Sequence, residues 1–114
     1  MESVWVLSAA KKAAREDVRR SCLEDAADLI TGDRADSYGS FTAEATRLGR
    51  TWGALLGIDD VPPHVVAAML TALKLVRATN LVGPARLDNW VDAAGYCGLG
   101  AQVDVDTRGA RGSG

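Results

Sequence analysis

Apolar positions recur at spacings of three and four along most of the chain. In segment 9–31, AAKKAAREDVRRSCLEDAADLIT, residues Ala14, Val18, Cys22, Ala26 and Leu29 share one face, which predicts an amphipathic helix ended by Gly32. From Ser40 to Leu56 the same period runs through Phe41, Ala45, Leu48, Trp52 and Leu55, with Arg47 and Arg50 off the stripe and Ser40 placed as N-cap. Gly57 stops that helix, Asp59 and Asp60 offer capping oxygens, and Pro62-Pro63 suits the first turn of a third helix over 62–79. The third helix sets Val65, Met69, Leu73 and Val76 on one stripe with Val66 and Leu70 beside it, and Ala fills much of the remainder. So apolar a circumference predicts a central place in a bundle, or burial in a subunit interface.

Residues 80–86, NLVGPAR, read as a connection, and a last helix is expected from about Leu87 to Val103. A strand-like alternation is confined to Ser3–Leu7, and no internal repeat is present. The pattern therefore predicts an all-α fold, a compact bundle of about four helices with antiparallel neighbours, which oligomerisation would complete.

A length of 114 residues fits one domain, taken as residues 1–103, followed by a flexible polar tail over 104–114. Thirteen Lys and Arg against 15 Asp and Glu leave a net charge of −2, so there is no strong nucleic-acid signal. The apolar runs are too short to span a bilayer, and in MESVWVLSAAKK the charges follow the apolar stretch, unlike a signal peptide. A cytoplasmic protein with no membrane partner is expected. Cys22 and Cys97 lack CxxC spacing and are read as reduced packing residues; with a single His, they make a poor zinc site.

The candidate chemistry sits on the last helix. Asp88, Asp92, Tyr96, Leu99 and Val103 fall on one side of it, while Trp90, Ala94, Cys97 and Ala101 form a second apolar stripe. Two carboxylates so placed need partners, and Lys74 and Arg77 qualify because no acid lies between Val61 and Leu87. Two readings stay open. One is a structural ion-pair network. The other is a pocket in which Asp88 and Asp92 hold Mg²⁺ while Lys74 and Arg77 meet phosphate oxygens.

The loop Asp33-Arg34-Ala35-Asp36-Ser37-Tyr38-Gly39 adds a dense polar cluster in which Tyr38 either stacks a base or plugs the bundle end. His64 has no partner for a catalytic triad, and the P-loop, HExxH and glycine-fingerprint motifs are all missing. The tryptophans Trp5, Trp52 and Trp90 are expected as core or interface anchors.

The order G-D-R-x-x-x-Y-G over Gly32–Gly39, Trp52 on a helix, L-K-x-x-R over Leu73–Arg77 and D-x-W-V-D-x-A-G-Y over Asp88–Tyr96 resembles a small-protein family of phage and prophage genomes. The resemblance covers about residues 24–103. More distantly it is similar to nucleotide-modification-associated phage domains and, through them, to helical MazG-like nucleotide pyrophosphohydrolases. It implies a pocket lined by Asp33, Arg34, Tyr38, Lys74, Arg77, Asp88, Asp92 and Tyr96, a nucleotide or other phosphorylated small molecule as ligand, and Mg²⁺ as cofactor. The setting it implies is the cytoplasm of an infected or lysogenic cell. Such hydrolases hold Mg²⁺ on E-x-x-E and E-x-x-D helices, whereas here there are only Asp88 and Asp92, with Glu44 isolated on the second helix. Turnover is accordingly left open. The alternative is a non-catalytic homo-oligomeric module, or a nucleotide-sequestering protein, acting on a host or phage partner.

Overall fold

The computed structural model describes residues 4–32 and 40–109, with side chains from residue 8 onward. It contains four helices, α1 (Val4–Ile30), α2 (Phe41–Leu56), α3 (Pro63–Ala78) and α4 (Leu87–Arg108), and no strand among the described residues. The alternation at Ser3–Leu7 therefore does not mark a strand: α1 is already helical from Val4, because elongating a helix through the Ala- and Lys-rich run that follows costs far less than starting one. No helix among the described residues is long and apolar enough to cross a membrane.

The local signals place the helix ends. Ser40 accepts a hydrogen bond from the Ala43 N–H at 3.3 Å, and Gly57 closes α2 in the left-handed region at φ 68°. Pro63 opens α3, but Pro62 occupies the cap position and no side chain caps this end, so Asp59 and Asp60 do not serve as capping acids.

The central helix is α4, not α3. All three other helices touch α4, and α1 touches no other helix. Small residues explain this. A Cβ added at Gly95 would lie 3.3 Å from Ile30 Cγ2 on α1, and one at Gly100 would lie 3.2 Å from Ala67 Cβ on α3. The Ala67–Gly100 approach turns Val66 and Ala67 inward and leaves Val65, Met69, Leu73 and Val76 exposed. The second apolar stripe of α4 also faces outward at Trp90, Cys97 and Ala101. Cys97 is thus not a packing residue; Cys22 is half-buried, and both thiols are free.

Residues 8–21 of α1 are all exposed, Ala14 and Val18 included, and only from Cys22 to Ile30 does α1 settle against α4. A helix of 27 residues is about 40 Å long, and the molecule extends 64 Å along its longest axis. At the other end, α4 runs five residues beyond the expected end at Val103, to Arg108. Val103 is fully buried and anchors this extension. Arg108 also hydrogen-bonds Asp104 one turn back, with Nη2 to Oδ2 at 2.6 Å.

Two consequences are measurable. The Arg108 hydrogen bond, helped by the guanidinium charge, holds the Asp104 carboxyl below its ordinary range. A lowered folded-state value stabilises the last turn above the ordinary carboxylate range, and this is lost as pH falls through the lowered value. Amide protection at Thr107 to Gly109, taken relative to the intrinsic exchange rate at each pH, should therefore fall on acidification ahead of the rest of α4. Gly98→Ala should be nearly neutral, within about 1 kcal/mol: its Cβ would meet only the Ile30 Cδ1 tip, at 2.6 Å, and alanine stabilises a helix interior by roughly 0.5–1 kcal/mol. Thermal melts check this.

Candidate functional site: an acidic groove between α1 and α4

One edge of α1 and one edge of α4 face each other across a groove of about 660 Å³ lined by Asp25, Asp28, Leu29, Leu87, Asp88, Val91 and Asp92. The helical period explains the lining. Positions 25, 28 and 29 are one turn apart on α1, as are 87, 88, 91 and 92 on α4, so each helix presents acids beside aliphatic side chains. The groove is therefore acidic, with greasy walls.

Asp92 has a committed partner. Lys74 reaches across from α3 and places Nζ 3.0 Å from Asp92 Oδ2, with the two side chains 19% and 32% exposed. The pair is screened by only part of the solvent, so it is more than an ordinary surface contact. Truncation by Lys74→Met should cost about 1–2 kcal/mol by leaving a half-buried carboxylate alone, and Lys74→Met/Asp92→Leu should recover part of that loss in a double-mutant cycle.

The other sequence-predicted residues divide as follows. Asp88 lines the groove and makes no salt bridge among the described residues. Arg77 lies one turn from Lys74 but is exposed and makes none either among the described residues. Tyr96 is half-buried and sits against Phe41 of α2, ring centroids 6.2 Å apart and tilted by 46°, outside the groove lining. Asp33, Arg34 and Tyr38 lie outside the described residues.

Sequence reasoning missed Asp25 and Asp28. Their signal was available, an acid pair at i and i+3 flanking the packing residues Ala26 and Leu29. It also missed Asn89, a buried polar residue on α4 at 8% exposure, for which no spacing signal exists. Among the described residues no three His, Cys, Asp or Glu side chains come together as a ready-made metal cage.

Fold and groove together define a small all-α protein built around one glycine-rich helix. The chain belongs to the family described as a domain of unknown function, DUF6378, whose profile matches residues 21–104. It is similar to the Gene 55 protein of Mycobacterium phage L5, with 34% identity over 79 residues, 69% of this chain and 49% of the phage protein. The chain thus spans about half the length of the curated relative it matches. No solved structure matches it. The family match takes in the whole groove and all of α2 and α3, and leaves out most of the projecting half of α1.

Proposed function

We propose that this chain binds the phosphate of a nucleotide through a divalent cation held in the α1–α4 groove. The observation that supports this most is the convergence of Asp25, Asp28 and Asp88 with Asp92 on one apolar-walled groove, when only Asp92 has an ion-pair partner among the described residues. A volume of about 660 Å³ lies within the range of small-molecule sites.

The chemistry of Mg²⁺ fits the donors present. Mg²⁺ keeps several waters and uses one or two carboxylates plus substrate phosphates, so it needs no three-acid cage. In this reading Asp88 supplies one carboxylate and an α1 acid, Asp25 or Asp28, supplies another. Leu29, Leu87 and Val91 offer an apolar wall to a base or sugar. Lys74 holds Asp92 in place and is not a free phosphate ligand. The likeness to nucleotide-modification-associated and MazG-like helical domains agrees in kind.

The test is thermal melting with a panel of ribo- and deoxynucleotides, in Mg²⁺ and again in EDTA. At least one nucleotide should raise the transition in Mg²⁺ only, since a ligand at a hundredfold its Kd adds about 2.7 kcal/mol. A panel that leaves the transition unmoved in Mg²⁺ rejects the reading. Product analysis on the stabilising nucleotide then separates binding from turnover.

A further inference from the structure

Apart from the groove, the largest unexplained feature is the outer face of α3. Val65, Met69, Leu73 and Val76 are 37%, 43%, 44% and 70% exposed, although every one is apolar. At 100° per residue they share a sector with Leu75 and Ala72, also exposed, and that sector of about 160° contains no polar side chain. The buried hydrophobic residues meanwhile are Ala26, Ala45, Val66, Ala67, Ala93 and Val103, of which only two exceed alanine in size. Among the described residues the fully buried core is thus mostly alanine, while many larger apolar side chains are exposed, which is unusual for a self-sufficient monomer.

We propose that a second copy of this chain covers that face, with the two α3 helices antiparallel about a two-fold axis. The pattern is self-complementary. Reflection about the Leu70–Thr71 midpoint sets Val65 opposite Val76 and Met69 opposite Ala72, apolar against apolar, as an isologous interface requires. Charge complements it at both ends. Arg77, exposed and without an ion-pair partner among the described residues, closes the stripe at its C-terminal end, and Asp59 precedes its N-terminal end in the same condition. Antiparallel packing brings Arg77 of one copy to the Asp59 end of the other, whereas parallel packing would set like charges together. The exposed Ala72 near the axis lets the helices approach closely. This dimer is independent of the groove, which lies on α1 and α4.

Sedimentation velocity on the full chain across 5–200 µM, on the order of the concentrations at which such interfaces saturate, tests it. The 12.0 kDa chain should run as a dimer at the upper end. Met69→Glu and Val76→Glu, both at exposed positions, should keep the helical far-UV spectrum and weaken association at least tenfold. Arg77→Glu should weaken it too, and Arg77→Glu with Asp59→Arg should restore it. A monomer at every concentration, or a dimer indifferent to Met69→Glu and Val76→Glu, overturns the proposal. A dimer broken by the stripe variants but not rescued by the charge swap overturns the antiparallel arrangement. Should one stripe variant misfold, the other and the Arg77 pair still decide.

Discussion

Gly49→Ala should lower the melting temperature by roughly 10–20 °C, or prevent folding outright. A Cβ at position 49 would overlap the carbonyl oxygen of Val61 and stand 3.3 Å from Val66 Cγ2. The first obstacle is backbone, so no side chain swings aside to make room. Nor is the connection free to retreat, because the Val61 N–H donates to the Gly49 carbonyl at 3.1 Å and fixes the α2–α3 corner to the helix at that residue. A second such bond, Ile58 N–H to the Gly53 carbonyl at 3.0 Å, ties the same corner one turn further along. Overpacking of this kind costs about 3 kcal/mol or more, and each kcal/mol moves the transition of a domain this size by roughly 4–8 °C. Gly98→Ala, whose new methyl meets only a flexible side-chain tip, is the matched control. If the two variants melt together, the account of the corner is wrong.

Asp88→Asn is expected to remove most of the Mg²⁺-dependent stabilisation by nucleotide while leaving the apo transition nearly unchanged. Asp88 is exposed and makes no salt bridge among the described residues, so the fold uses its charge only at the start of α4, where a first-turn acid contributes about 0.3–1 kcal/mol. A cation in the groove depends on it directly. Hard cations bind anionic oxygen, and an amide in place of the carboxylate removes a full charge from the donor set. Even groups that only orient a metal ligand are worth 10–100-fold in affinity, so loss of a direct donor should weaken Mg²⁺-dependent binding at least tenfold. Asp28→Asn should act in the same direction. Titration calorimetry with the nucleotide found by the melting panel measures both, and equal affinities for parent and Asp88→Asn would exclude Asp88 from the site.

Local chemistry was legible before any coordinates. The Ser40 cap, the left-handed Gly57 and Pro63 in a first turn each follow from the backbone demands of a helix end. So did the partnership of Lys74 with an acid on α4, because a helix with no acid of its own must look to a neighbour. What was not legible depends on which helices touch. The inward side of α3 is chosen by the fit of Ala67 against Gly100, a contact between positions far apart in the chain, and the stripe with the larger side chains loses. Arg77 sits one turn from Lys74 in the same motif, yet only Lys74 meets an acid among the described residues, because that depends on where α4 places Asp92. Asp25 and Asp28 resemble solvated charges along α1 until α4 supplies the opposite wall of a groove. The late end of α4 rests on the Arg108–Asp104 bond and the burial of Val103, neither of which a Gly-rich tail advertises.

The central claim, that the α1–α4 groove holds a divalent cation, is tested most directly by adding substoichiometric Mn²⁺ to isotope-labelled protein and following paramagnetic broadening of its amide resonances. The predicted result is selective loss of signals from Asp25 to Leu29 and from Leu87 to Asp92, reversed by excess Mg²⁺ and much reduced in Asp88→Asn. Broadening centred instead on the acids Asp104 and Asp106 at the far end of α4, or no selective broadening at all, would contradict it.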